Sequence, residues 1–257
     1  MSSSTARLKA TIRTHAPVLI PALRLARSMV RLVASAASQV ARRIPGLRDV
    51  RSSELDRRRR AIFEEIYRNN AWAGTESRSG VGSDLGSTAL LRRELPKIVE
   101  QHGCRTMLDI PCGDFFWMQH VALDLDYIGA DLVPNIVERD RLAFENERRH
   151  FVVLDMVRDD MPAVDLVFCR DGLVHLSYED ALLALANVKR SGSRYLMATT
   201  FLDSTRNRDI RAGEWRPLNM RLPPFGFPTP LTVVKERQPS DPYPDKSMAL
   251  WRIADLA

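Results

Sequence analysis

Cysteine is scarce in this 257-residue chain. There are three, Cys104, Cys112 and Cys169, an odd number with no metal-ligand spacing between them. That excludes a disulfide framework and a zinc-binding motif, and points to a reducing cytoplasm with a structural role for each thiol. No apolar run approaches the ~18 residues of a membrane-spanning helix. Internal repeats are absent, and so is the Gly-x-Gly-x-x-Gly turn with which dinucleotide enzymes cradle a pyrophosphate. The first 48 residues hold no Asp or Glu at all.

That last absence decides what the net charge of +6 means. Residues 1–48 carry nine Lys or Arg, leaving 29 basic against 32 acidic residues in the remainder, a net −3. A protein gripping nucleic acid needs its positive charge around the cleft, not on an arm, so no nucleic-acid partner is expected. Within the arm, residues 1–50, Arg24, Arg27, Arg31, Ser35, Ser38 and Arg42 recur at steps of three and four. Apolar residues fill the rest of the wheel. The spacing predicts a basic amphipathic helix from Pro21 to Pro45-Gly46. Three readings stay open: a peripheral contact with an anionic membrane, packing on the body or on a second copy in a homodimer, and an organellar transit peptide.

Residues 51–103 read as helices around a flexible stretch. One helix runs Ser52 to Asn70 with Ile62, Phe63 and Ile66 as its apolar stripe, and another runs Thr88 to His102. Between Trp72 and Ser87 lies a Gly/Ser segment, either a linker or a loop that closes over a ligand. From 104 to 257 strands alternate with helices: Arg105–Ile110, Tyr127–Ala130, Phe151–Leu154, Asp165–Cys169 and Tyr195–Thr200. A capping box at Ser177-Tyr-Glu-Asp180 opens a helix that closes at Ser191-Gly192. Two late β-rich runs, Leu231–Glu236 and Ser247–Ile253, have no helix between them and form an antiparallel hairpin. The expected fold is α/β, a doubly wound and mostly parallel seven-stranded sheet with one reversed strand.

The chemistry gathers after the first strand. Met-Leu-Asp109-Ile-Pro111-Cys-Gly113-Asp turns tightly, and a second apolar run ends in Asp131. In such sheets the turn brings backbone N–H groups to a nucleoside, and the second carboxylate accepts both ribose hydroxyls. Asp114 beside the turn is a poor neighbour for phosphate, so a phosphate-free adenosine cofactor fits better than a nicotinamide dinucleotide.

At these residues the chain resembles the class I S-adenosylmethionine-dependent methyltransferases. It departs from their Gly-rich turn at Pro111 and Phe115. Leu-Asp-Ile-Pro-Cys-Gly-Asp-x-x-Trp-Met and Cys-Arg-Asp-Gly-Leu-Val-His-Leu-Ser are similar to a bacterial subgroup that includes mycobacterial methylmannoside methyltransferases. The resemblance implies S-adenosylmethionine as cofactor. Asp109, Pro111 and Gly113 would shape the pocket under its methionine part, Asp131 would hold the ribose, and Asp155 with Met156 the adenine.

The implied reaction is O-methylation of a small-molecule or carbohydrate hydroxyl. His175, after the fourth strand, is the candidate base, with Asp171 four residues earlier to orient it. Arg170 either helps bind cofactor or acceptor or pairs with Asp171. Asp203, Asn207, Trp215 and Arg216, in one polar loop, suit a polyhydroxylated acceptor, with Trp215 as a stacking platform. Asp171, His175 and Asp203 could reach one metal ion, but their spacing does not demand one and none is expected. Two rivals remain, a nicotinamide-dependent oxidoreductase and a non-catalytic nucleoside-binding module that the arm brings to a membrane.

Overall fold

The computed structural model describes residues 45–236 and 242–256, with side chains from Glu54 onward. The basic helix expected before residue 45 lies outside them. The chain divides into two compact units, residues 1–56 and 57–257, and the second holds the sheet.

Helix α1, Pro45–Asn69, begins seven residues earlier than Ser52. Pro45 and Gly46, expected to stop one helix, open this one, since proline's missing N–H costs nothing in a first turn. Helix α2, Ala89–Gln101, buries Leu91, Leu95, Ile98 and Val99, one stripe at helical spacing. Strand β1 is Thr106–Asp109 and β2 is Asp126–Asp131. Helix α3, Pro134–Phe144, leads to β3, Arg149–Val153. Strand β4, Leu166–Cys169, is buried throughout, as a central parallel strand must be. Helix α4, Tyr178–Arg190, opens on Ser177, whose hydroxyl accepts from the Asp180 N–H as the capping box required. Strands β5 (Tyr195–Phe201), β6 (Thr232–Lys235) and β7 (Lys246–Arg252) complete the chain's sheet.

The seven strands lie in the order β3-β2-β1-β4-β5-β7-β6. β1 pairs in parallel with β2 and β4, while β7 runs antiparallel to both β5 and β6. The expected topology, one reversed strand included, is the one observed. β3 ends at Val153, so Asp155 stands two residues past the strand rather than at its tip. Where β1 parts from its neighbours, the strand order switches direction and a crevice opens at the carboxyl ends. Gly129 in β2 makes room for its cross-strand neighbour on β3, since a Cβ would sit 2.6 Å from the Phe151 ring. Among the described residues no helix is long and apolar enough to cross a membrane.

The sheet's antiparallel end is anchored by Trp251, which is 1% exposed. Its ring meets Phe227 edge-on at 5.2 Å and its indole N–H donates to the Pro228 carbonyl at 2.9 Å. Trp251→Ala is expected to lower unfolding free energy by about 3–5 kcal/mol, as emptied aromatic core sites do. Denaturant titration reads this as a lower midpoint at unchanged slope.

Candidate functional site

A cleft of about 900 Å³, part of it open to solvent, lies over the carboxyl ends of β1, β2 and β4. Its floor is the turn after β1, and its far wall comes from α1 and the segment after it. Asp109, Pro111, Gly113, Asp131, Asp155, Met156, Arg170, Asp171 and His175 all line it.

Asp131 is 4% exposed and clasps the turn. One carboxylate oxygen accepts from the Gly113 N–H at 3.2 Å, the other from the Val133 N–H at 3.0 Å. Burial pushes its carboxyl up to about 6, although both N–H groups pull the other way. Gly113 has φ +58°, and a Cβ there would stand 2.3 Å from the Ser79 hydroxyl, so glycine is required twice over. At the tip of β1, Asp109 Oδ2 accepts from the Tyr127 hydroxyl at 2.6 Å, while Oδ1 is buried without a partner. Burial pushes Asp109 up to about 7 against the pull of Tyr127 and Arg170.

The Gly/Ser segment is a cover, not a linker. Asp114 draws it onto the turn, accepting from the Ser77 hydroxyl at 2.7 Å, the Arg78 N–H at 2.8 Å and the Ser79 hydroxyl at 3.1 Å. The Tyr67 hydroxyl bonds Ser79 at 3.0 Å, which ties α1 to the same cover. Ser79, Tyr67 and Trp72 thereby join the cleft wall. Arg59 of α1 is 4% exposed and reaches Asp155 at 2.6 Å and Asp180 at 3.1 Å. Asp155 also accepts from the Val157 N–H at 2.9 Å. Of these wall residues Asp155 is an expected one, while Arg59, Tyr67, Trp72 and Ser79 are not singled out by the sequence. The one available signal was Asp114, a carboxylate in a turn that needed donors from somewhere.

At the end of β4 the expected geometry needs correction. Asp171 does not hold His175. Its φ of +56° turns the carboxylate towards β7, where Lys246 meets it at 2.6 Å, and Thr199 donates to its other oxygen at 3.2 Å. Burial alone would raise Asp171, but Lys246 and Arg170 hold it well below the usual carboxylate range. Arg170 is also committed. Its Nε donates to Glu236 at 2.7 Å, a second nitrogen donates to the Gly82 carbonyl at 2.7 Å, and the guanidinium lies 5.3 Å over the Trp117 ring. The His175 ring instead bonds the Glu214 carbonyl through Nδ1 at 3.0 Å and packs against Trp72, the rings tilted by 34° with centroids 4.8 Å apart. Burial lowers its pKa, partly offset by that carbonyl and by the Asp171 charge.

The polar loop after β5 does not line the cleft; Asp203, Asn207, Trp215 and Arg216 all lie elsewhere. Asn207 is consumed by backbone, donating to the Asn219 and Pro223 carbonyls at 2.9 and 3.0 Å and accepting from the Asn219 N–H at 2.8 Å. Trp215 packs edge-on against Phe201 and Tyr243. Arg216 is 0% exposed and donates to the Leu173 carbonyl at 2.8 Å. Asp203 is exposed, its N–H on Asp245 at 3.0 Å. Asn207, Trp215 and Arg216 brace the loop itself.

No protein-family model matches the sequence, and no curated protein matches it. Solved structures do. PigF with SAH superposes with a TM-score of 0.53 at 17% identity, over 74% of this chain and 62% of that one. Human N-acetylserotonin methyltransferase in complex with SAM gives 0.49 at 14% identity, over 64% of this chain and 52% of that one. The chain therefore spans only about half to two thirds of these proteins' length. At such identities the likeness concerns architecture alone: PigF shares a Rossmann-like, mostly parallel sheet with this chain.

Asp109 gives a stability test with a definite sign. Its folded pKa of about 7 stands above the ~3.9 of an unfolded Asp, so ionisation opposes folding increasingly as pH rises from about 4 through 7. Asp109→Asn is therefore expected to raise the ligand-free Tm at pH 8 and to have little effect at pH 4. A loss of Tm at pH 8 in calorimetric scans would contradict the assignment.

Proposed function

We propose that the cleft binds S-adenosylmethionine and that the chain methylates a hydroxyl of a small-molecule or carbohydrate acceptor. The observation that carries this reading is the Asp131 carboxylate, buried in the cleft wall and fixed at 3.2 Å from the Gly113 bend. Its two oxygens each use one lone pair on backbone N–H groups, which leaves acceptor capacity for a ribose diol.

The residues present fit the cofactor. Asp109 offers a buried, unpartnered Oδ1 in the cleft, suited to an ammonium group. Leu132, Leu154 and Met156 supply apolar surface for a flat base. Asp155 spends two of its roughly four lone-pair sites on Arg59 and Val157, so an amino donor of adenine can still be accepted. Asp114, turned to the Ser77–Ser79 cover, sits where a pyrophosphate would be repelled, which counts against a nicotinamide dinucleotide.

When bound, the cofactor supplies an electrophilic methyl carbon on a sulfonium. The chain's own work is then alignment, which contributes up to ~7–11 kcal/mol in well-oriented reactions. The Ser77–Ser79 cover and Trp72 wall off one side of the cleft from solvent. His175 takes the acceptor's proton, a role worth roughly 10²–10⁴-fold. Its lowered pKa keeps it neutral, and so basic, at pH 7.

Calorimetry should show saturable S-adenosylmethionine binding by the full chain, and no detectable binding at millimolar concentration would reject the reading. Asp131→Ala should weaken binding about a hundredfold or more, since two hydrogen bonds to a charged acceptor are worth ~3 kcal/mol or above. In the parent, affinity should fall as pH drops below about 6, where Asp131 takes up a proton and loses an acceptor site. Transfer of a labelled methyl group to a panel of sugars and small hydroxylated compounds would identify the acceptor.

A further inference from the structure

The loop after β5 closes on one object, the turn Leu173–His175. The Gly213 N–H donates to the His175 carbonyl at 2.9 Å and the Arg216 N–H to the Val174 carbonyl at 3.3 Å. The Arg216 guanidinium donates to the Leu173 carbonyl at 2.8 Å from a fully buried position. Each of the turn's three carbonyls is thus held by this one loop. The loop's fourth contact is with the imidazole itself, through the Glu214 carbonyl. A carbonyl oxygen only accepts, so Nδ1 must carry the proton at this contact. Nε2 has no hydrogen bond among the described residues.

We propose that residues 208–216 and Trp72 are the positioning elements of the base: the Glu214 carbonyl fixes His175 as the Nδ1–H tautomer and Trp72 holds the ring plane, leaving Nε2 to take the proton. The role given to Nε2 rests on the methyl-transfer reading; the tautomer does not. In the step itself, the acceptor O–H proton goes to Nε2 while its oxygen bonds to the methyl carbon. The carbon–sulfur bond breaks and leaves its electron pair on sulfur. The ring then carries both protons and returns one to solvent.

The charges around the ring are accounted for. Asp171 favours the charged ring, Lys246 and Arg216 oppose it, and Lys246 is already bonded to Asp171. A tilted Trp72 ring against one face and a neutral carbonyl at the edge leave burial as the dominant influence, so the ring stays deprotonated at neutral pH. Trp72 comes from the N-terminal side of the cleft and also packs on Tyr67 at 5.4 Å, so alignment of the base depends on the cover being in place.

The test uses full-length protein with 15N-labelled histidine, His175 being assigned by its absence in His175→Gln. Above the ring's pKa, a protonated Nδ1 and a bare Nε2 are expected, and an Nε2–H tautomer would overturn the proposal. Trp72→Ala should shift the His175 pKa upward towards the ordinary imidazole value, with Trp72→Phe close to the parent. An unmoved pKa in Trp72→Ala would also overturn it. In turnover, Trp72→Ala should lower kcat more than it raises KM and move the acidic limb of the pH profile with the ring's pKa. A parent chain that shows the Nδ1–H tautomer yet transfers no methyl group would overturn the methyl-transfer reading, and with it the role of Nε2, while upholding the tautomer and its positioning by Glu214 and Trp72.

Discussion

The turn after β1 is held from two sides by carboxylates, and the cleft exists because of that grip. From below, Asp131 takes the Gly113 N–H at 3.2 Å and fixes the bend against the tip of β2. From above, Asp114 gathers Ser77, Arg78 and Ser79 over the same bend. Gly113 lies between them with no room for a Cβ. Floor and cover are therefore one hydrogen-bonded unit. A change at any of these positions moves both, which is why a ligand site can form between segments more than thirty residues apart in sequence.

A second constraint runs through the buried charges at the end of β4. Arg170, Asp171, Glu236 and Lys246 come from β4, the end of β6 and the start of β7, and pair at 2.6 to 3.5 Å. Buried ions are costly unless each finds a partner, and removing one leaves another exposed to that cost. The cluster is balanced, two charges of each sign. Its value here is positional: it locks the reversed strand β7 and the chain leaving β6 to the rim of the cleft. Asp171 takes up a left-handed conformation, accessible to Asp more readily than to most residues, and its N–H donates to Thr199 at 2.8 Å.

Much of this was legible from residue order. Strands betray themselves by short apolar runs, and the two late runs lacked any helix between them, so sheet and reversed strand followed. Asp131 was legible because its distance along the chain from the Gly113 turn reflects a strand–turn–strand geometry that the sheet imposes. Residue order gave the Ser177–Asp180 cap and the Arg170–Asp171 pair, but not the partners of most other polar side chains. Asn207, Trp215 and Arg216 have the composition of a sugar site, but the same donors and acceptors satisfy the backbone of a long loop that would otherwise leave carbonyls orphaned. Asp171 and His175 lie four residues apart, which suggested one helical turn. The chain makes only a single 3-10 turn, Leu173–His175, preceded by left-handed backbone, and the two side chains diverge. Arg59, Tyr67 and Trp72 were invisible as site residues because nothing local to α1 says what it packs against.

That divergence has a chemical consequence. A carboxylate beside an imidazole stabilises the imidazolium and raises its pKa, making a stronger base that is more often already protonated. A backbone carbonyl orients the ring equally well but brings no formal charge. With Asp171 paired to Lys246, burial penalises the charged ring and lowers the His175 pKa, which favours the neutral imidazole. In the proposed methyl transfer, where the electrophile is already activated, availability of a base matters more than its strength. Under that proposal, fixing the ring by backbone groups of a braced loop gives availability and direction together.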